Sequence, residues 1–502
     1  MQKLLNGWVV RSVLSGVLAF SAICYFNFWA SWICYVPLFL CINKAHPKQT
    51  IKFAIVYGLS FSCLAYGWMI PGALKFTGYN LLYGIGVFIF SSMFYILFCG
   101  LIFYCLAFVN KNKPTLNSII FQSILTGCIF CIAEALLVYL STGMPWFSIQ
   151  TGSALADNIY AIQIISFFGI HLLTFIIVSV NYLIAFFIQK KMWLKLYIPI
   201  CIIILHLMIG SILLNNFSNK PSTTVPFSVA ILTENIMPDI KWNEENGNML
   251  VKRILTLNKI ATTLKPKLAL WSESAIPWTY SKDDDILKEI FKITDTANIT
   301  HLLGINTAYK ENIIFNSAYS ITPGGNVQGR YDKQYLLSFI EKPLNGWLMP
   351  FYSSNGYYAI NNISNNKPLQ TPVGKAGVLI CNEAAIPDAA AKQVKQGAQF
   401  LVNMSNDGWF NNTYIMNLHF NYAKLRAVET RKDIIINCNN GFSGLVKASG
   451  LVVVKQNSTE PFVKLVYVQP NISSTLSITY PLAFIYMCFI FIVLSSFYHF
   501  KK

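Results

Sequence analysis

Residues 374–388 read GKAGVLICNEAAIPD. An apolar run ends at Cys381, polar Asn382 and Glu383 follow, and Pro387 opens a stretch of helical composition, PDAAAKQVKQGA. A strand that runs into a turn and then a helix is the unit of a layered α/β domain. It also places a thiol at the end of a strand, exposed at the sheet edge near backbone N–H donors, which suits a nucleophile. From these residues alone a buried core cysteine is the competing reading, because free cysteine is commonly buried.

Working outward, VPFSVAILTEN, PKLALWSES, THLLGIN, QFLVNMSND, DIIINCNN and GLVVV carry strand patterns. The stretch up to about 264, DDDILKEIFKITDTA and YIMNLHFNYAKLRAVET carry helical ones. FNSAYSITPGGNVQGRYDK reads as a hairpin around Pro323, Gly324 and Gly325, and segment 351–370, rich in Asn and Ser, as a loop or lid. Two of these elements also end on reactive residues. Glu273 follows the apolar LALW of 268–271, and Lys333 stands at the exit of the hairpin, in GRYDKQYLLSF. Acyl transfer through a thioester needs a base, a charge stabiliser and a nucleophile, and an acid, an amine and a thiol can supply them. Taken singly, Glu273 between two serines reads equally as a cap or turn carboxylate, and Lys333 as a solvated lysine.

The block holding these residues, 216–478, lies between segments of another kind. The 502-residue chain is 54% hydrophobic and 12% charged, whereas globular domains average about a quarter charged. Apolar runs near 7–25, 27–43, 51–71, 80–109, 117–141, 158–189 and 193–215 predict a seven-span domain over 1–215. A further run near 479–498 predicts a last span and a tail over 479–502. The first run lacks a small-residue cleavage site and is followed almost at once by another, so it reads as a retained span.

The net charge is +17, but the block 216–479 carries 25 Lys and Arg against 19 Asp and Glu, a net of +6. The remaining +11 lies in or beside the membrane segments. Charge placed there sets orientation and meets anionic lipid; it forms no nucleic-acid groove. Lys44, Lys48 and Lys52 follow the second span, Lys111 and Lys113 the fourth, Lys190, Lys191 and Lys195 the sixth, and Lys501 and Lys502 the last, whereas the alternate loops hold only Lys75. This alternation predicts cytoplasmic termini and a block on the far side of the membrane. Ten of the twelve cysteines fall in apolar runs, where cysteine acts as a small hydrophobe. Only Cys381 and Cys438 lie in the block, and the commitment of Cys381 to chemistry argues against a disulfide between them. Cys128 and Cys131 are spaced as CxxC but lie in an apolar run, no Cys/His spacing predicts a metal site, and no cofactor is expected.

The block resembles the nitrilase, or carbon–nitrogen hydrolase, superfamily. WSESAIP at 271–277, YDKQYLLSFIE at 331–341 and GVLICNE at 377–383 match its glutamate, lysine and cysteine elements, and NMSNDGWF and RAVETRKDIIINCNNGFSG match two further segments. The resemblance implies a nitrilase-like α-β-β-α sandwich and a catalytic triad of Glu273, Lys333 and Cys381. Asn382 stands where that family commonly has an aromatic residue. The eight predicted spans, with GMPW at 143–146 after a span that holds Glu134, resemble more narrowly the apolipoprotein N-acyltransferases of bacterial inner membranes. This implies a multi-span α-helical membrane protein with an extracytoplasmic α/β domain facing the periplasm.

It further implies that Glu273 takes the thiol proton, Cys381 attacks a phospholipid ester and Lys333 stabilises the oxyanion. The acyl chain would then pass to the α-amino group of a diacylglyceryl-cysteine on an apolipoprotein. Glu341 and Glu383 are expected to support the triad by orienting Lys333 or tuning its charge. The expected partners are a phospholipid donor, the apolipoprotein acceptor and the bilayer, with no nucleic acid, and the expected state is a monomer.

Glu134, inside a span, reads as paired for packing rather than as lining a polar route. His301 and His419 sit in no motif that pairs them with Cys381, which counts against a Cys/His protease. PLNGWLMPF at 343–351 is apolar without a strand or helix period, and its Trp347, Leu348 and Met349 are candidates to contact lipid. The alternative activity is a membrane-anchored nitrilase-type amidase for small C–N substrates, although a tether would need one span. A transporter or scaffold would leave the triad without purpose.

Overall fold

The chain divides into two units in the computed structural model: Met1–Leu74, Asn80–Ser218 and Tyr480–Lys502 form one, and Lys75–Tyr79 with Asn219–Thr479 the other. The structure describes all residues except 1–6, 44, 77–80, 110–114, 221–223, 238–239, 241, 339, 343–357, 411–412 and 501–502. The PLNGWLMPF stretch, with Trp347, Leu348 and Met349, therefore lies outside the described residues.

The first unit is helical. Pro47–Gly72, Leu81–Ala107, Leu116–Leu140, Ile170–Gln189 and Trp193–Ser218 are long and apolar enough to cross a bilayer, and Trp8–Cys24, Phe28–Ile42 and Ala483–Ser496 are shorter apolar helices. Each predicted run thus contains an apolar helix, with two revisions. The run at 27–43 is interrupted: Phe28–Ser31, started by Asn27 Oδ1 accepting from Trp29 N and Ala30 N, is separate from Val36–Ile42. The run at 158–189 begins as turns, and its long helix starts only at Ile170, because Gly169 takes φ +67° after Ile165–Phe168. Glycine has no Cβ to forbid that conformation, and apolar composition gives no sign of it.

Small residues and neutral polar pairs hold these helices together. A Cβ on Gly16 would stand 1.9 Å from Ser60 Oγ, so the two helices approach there only because the side chain is absent. Glu134 Oε1 accepts from Thr151 N at 2.9 Å and Thr151 Oγ1 at 2.5 Å, and Oε2 accepts from Thr174 Oγ1 at 2.7 Å. Tyr35 Oη lies 2.7 Å from the same Thr151 hydroxyl. The carboxylate thereby pins the short turn Thr151–Leu155 to the helices carrying Glu134 and Thr174.

The second unit contains two sheets. In one, Phe227–Thr233, Leu268–Leu270 and Thr300–Lys310 run parallel, flanked by antiparallel Phe462–Val468. In the other, Gly374–Ile380, Phe400–Asn406 and Ile434–Asn439 run parallel and continue into antiparallel Phe442–Val446 and Val452–Asn457. Alternate residues of a strand point to opposite faces, and both faces here are apolar. Val229, Ile231, Val378, Ile380, Val402 and Ile435 fill the space between the sheets. Ala230 and Leu232 turn outward to meet Ile254 and Leu257 of helix Glu244–Leu264 and Leu287 and Ile290 of helix Asp285–Asp295. On the opposite side Leu379, Leu401 and Ile436 meet Ala390 of helix Pro387–Lys395 and Phe420 and Ala423 of helix Ile415–Thr430. The layers are α-β-β-α.

Part of the predicted loop at 351–370 is built into sheet edges. Tyr358–Ala359 pairs with Ile313–Phe315, and Leu369–Thr371 with Gly374–Ile380. Between them Asn362 and Asn365 donate to Asp332 Oδ2, each at 3.1 Å.

Candidate active site

Strand Gly374–Ile380 ends in a tight turn, Cys381–Ala385, before helix Pro387–Lys395 begins. Cys381 takes φ +52°, a left-handed conformation that is costly for a residue with a Cβ and that persists only where the surroundings impose it. Glu383 supplies much of that constraint. Its Oε2 accepts from Ile380 N at 2.8 Å and from Tyr331 Oη at 2.9 Å, and its Oε1 accepts from Gln334 N at 2.7 Å and Tyr335 N at 3.1 Å. Asn403 Nδ2 donates to the carbonyls of Leu379 and Cys381 at 3.1 and 3.3 Å. The cysteine, expected at an exposed sheet edge, is only 8% exposed, because the strand end lies inside the packing between the two sheets.

Glu273 also follows a strand end, and the next residue, Ser274, again has positive φ, +47°. Strand Thr300–Lys310 passes directly beneath. A Cβ on Gly304 would stand 2.2 Å from the Ser272 carbonyl, so only glycine permits that approach. Lys333 leaves the hairpin strand Val327–Asp332, where its backbone N–H donates to Asn316 O at 2.8 Å. Far from being solvated, Lys333 is 1% exposed. Its Nζ lies 2.8 Å from Glu341 Oε1 and 3.5 Å from Glu273 Oε1. Asn316 Nδ2 donates to the same two oxygens, at 2.8 Å to Glu273 and 3.0 Å to Glu341, and Glu341 Oε2 accepts from Leu337 N at 2.7 Å.

The structure therefore joins Glu273, Glu341 and Lys333 directly. Glu383 makes no ion pair with Lys333 among the described residues; it ties the cysteine turn to the lysine loop instead. Asn382 Nδ2 adds a bond to Tyr335 O at 3.0 Å between the same two segments.

The charges influence one another strongly. Burial pushes the Cys381 thiol well above its usual range, Glu273 adds to this, and Lys333 opposes it in part. Burial likewise raises Glu273, with Glu341 adding and with Lys333 and Asn316 opposing. For Lys333, burial favours the neutral amine, but Glu341, Glu273 and Cys381 together outweigh it and the ammonium persists. Glu383 is pushed up to about 6 by burial, against its backbone donors and the charge of Lys333. A carboxylate of raised pKa close to a neutral thiol can accept its proton. A buried ammonium can stabilise negative charge that grows on a substrate oxygen.

Three contributors were not singled out in the sequence, Asn316, Asn403 and Asp407, and a fourth, His419, was weighed there only against a Cys/His protease. Asparagine inside otherwise apolar strands, as in QFLVNMSND, was the available signal for Asn403. Asp407 Oδ1 lies 2.8 Å from His419 Nδ1. Those two residues sit on different elements, and no local motif announces the pair. Cys381 and Cys438 are both free thiols.

The carbon–nitrogen hydrolase family model matches residues 229–469, and that of the apolipoprotein N-acyltransferase N-terminal domain matches residues 15–183. Through these two segments the chain resembles the apolipoprotein N-acyltransferases over most of its length. Its relatives include the apolipoprotein N-acyltransferase of Geobacter metallireducens, 25% identical over 84% of this chain and 81% of that one. The Thermotoga maritima enzyme of the same name is 24% identical over 88% of this chain and 84% of its own. Among solved structures, Saccharomyces cerevisiae Nit3, a member of branch 10 of the nitrilase superfamily, aligns at 16% identity over 49% of this chain and 91% of that chain, with a TM-score of 0.37. Apart from Lys75–Tyr79, the N-terminal-domain match falls in the first unit, and the hydrolase match falls in the second.

Proposed function

We propose that the chain transfers a fatty acyl group from a phospholipid, through a thioester on Cys381, to the α-amino group of a diacylglyceryl-cysteine at the N-terminus of an apolipoprotein. The observation that carries this reading is the buried Lys333 ammonium, held by Glu273 and Glu341 and acting electrostatically on Cys381. In the first half-reaction Glu273 takes the thiol proton while sulfur attacks the ester carbonyl, and Lys333 stabilises the oxyanion. Collapse breaks the carbon–oxygen bond, Glu273 returns the proton to the departing alcohol, and a lysophospholipid leaves. The amine then displaces the thiolate from the thioester, forming an amide. The bilayer supplies the acyl donor, and the apolar helices of the first unit suit a multi-pass protein of a bacterial inner membrane. The excess of lysine in alternate loops supports a periplasmic catalytic domain over 216–478.

Incubation of the purified full-length protein with phospholipid, followed by mass spectrometry, tests this reading. The expected result is a gain of one fatty acyl mass localised to Cys381. Hydrolysis of small amides with no such adduct would identify a membrane-anchored amidase instead.

A further inference from the structure

A second titratable pair stands near this site and has no part in the acylation step. His419, on helix Ile415–Thr430, bonds through Nδ1 to Asp407 Oδ1 at 2.8 Å. Asp407 follows strand Phe400–Asn406 and is 1% exposed. The same oxygen accepts from Ser405 Oγ at 3.1 Å, and the Asp407 backbone N–H donates to Asn439 O at 2.9 Å, so the carboxylate is fixed in place. An ionised carboxylate only accepts, so Nδ1 carries the proton and Nε2 is left as the basic nitrogen. Among the described residues Nε2 has no hydrogen-bond partner, and 16% of the His419 side-chain surface is open. The Phe410 ring stands edge-on, 5.6 Å away. Glu273 and Lys333 both act on His419 electrostatically, and Asp407 acts on Cys381 and Cys438.

Transfer to an amine poses a proton problem that one base does not solve. An α-amino group has a pKa of about 7.7–8.0, so near neutral pH it arrives largely as an ammonium ion with no lone pair. It must lose one proton before attack and another as the tetrahedral adduct collapses. Glu273 begins this half-reaction as a carboxylate and can carry one proton, from the nitrogen to the departing sulfur. The other needs a second acceptor.

We infer that His419 is that acceptor, with Nε2 taking the first proton from the substrate ammonium while Asp407 stabilises the resulting imidazolium. The neutral amine then bonds to the thioester carbonyl carbon and the carbon–sulfur bond breaks. The second proton passes through Glu273 to the Cys381 thiolate, and the imidazolium returns its proton to water. Burial pulls the His419 imidazole down, but Asp407 outweighs it, helped by Glu273, and the net shift is upward. That brings the base closer to the amine it serves, which favours efficient transfer. The inference rests on the proposed acyl transfer.

The test uses the full-length protein in phospholipid–detergent micelles. Acyl-enzyme formed by wild type and by His419→Gln is chased with a diacylglyceryl-cysteine peptide or with hydroxylamine, which is already neutral at pH 7. His419→Gln is expected to slow peptide aminolysis by about 10²–10⁴-fold. The deficit should shrink above pH of about 8, where the amine is neutral without help. Hydroxylamine should clear the acyl-enzyme at the wild-type rate. Asp407→Asn should shift the rising limb of the aminolysis pH profile to lower pH. Equal slowing with both nucleophiles, an unchanged peptide rate, or no acyl-enzyme in His419→Gln overturns the inference. No acyl-enzyme in wild type overturns the function reading itself, so the two failures are distinguishable.

Discussion

Each unit of the molecule buries a glutamate, and the two have different company. The partners of Glu134 among the described residues are all neutral: the Thr151 amide and the hydroxyls of Thr151 and Thr174. Glu273 is met by the Asn316 amide and by the Lys333 ammonium, which it shares with Glu341. Neutral donors satisfy a carboxylate and hold structural elements together, but they leave it nothing with which to exchange a proton. A cation and a thiol within electrostatic reach make the protonation of Glu273 depend on what its neighbours carry. Burial alone does not mark a catalytic carboxylate. The chemistry of its partners does.

The sharpest test of that contrast lies at the sulfur. Cys381→Ser should bring phospholipid-dependent acylation below detection in an intact-mass assay, because a hydroxyl is far harder to ionise with a carboxylate base. Glu273→Gln should lower the rate of acyl-enzyme formation by about 10²–10⁴-fold with little change in thermal unfolding. The carboxamide can still accept from Asn316, but it cannot take the thiol proton. Lys333→Met should lose about 10²–10³ in the same rate. It should also cost about 3–5 kcal/mol of stability, because Glu273 and Glu341 are left buried without their cation.

Glu134→Ala should behave in the opposite way. Stability in detergent should fall by about 1–3 kcal/mol for each donor left unsatisfied, while the folded fraction keeps its acylation rate. Loss of acylation at unchanged stability would erase the distinction between the two glutamates. The smallest effect is expected for Cys438→Ser. Its sulfur is buried, with Asn439 O at 3.7 Å, so a hydroxyl can find an acceptor there and stability should change by about 1 kcal/mol with acylation retained. Reversed phenotypes for Cys381 and Cys438 would move the nucleophile.

Much of the fold was legible in the chain because apolar periodicity reports burial directly. The strand and helix patterns around GVLICNE, LALWSES and QFLVNMSND all correspond to elements of the two sheets and their covering helices. The misreadings share a cause. The run at 158–189 carries no charged residue, and its composition does not reveal that Gly169 turns left-handed before the long helix starts. Lys333 reads locally as a solvated lysine, and it is buried because Glu341 and Glu273 converge on it from separate segments. Cys381 reads as exposed, and it is buried because its strand faces a second sheet. His419 reads as unattached, and it has a partner because its helix packs beside the strand that leads to Asp407.

Composition, charge placement and hydrophobic period were sufficient for the apolar helices, the α/β block and the residue types a thioester mechanism needs. Those properties are local, since a strand or helix pattern is written within about ten residues. The burial of the lysine and the thiol, the neutral fastening of Glu134 and the Asp407–His419 pair were decided in the tertiary structure alone. Each depends on groups far apart in the chain meeting at hydrogen-bond distance or within one packed core, and a side chain's protonation follows what surrounds it in space.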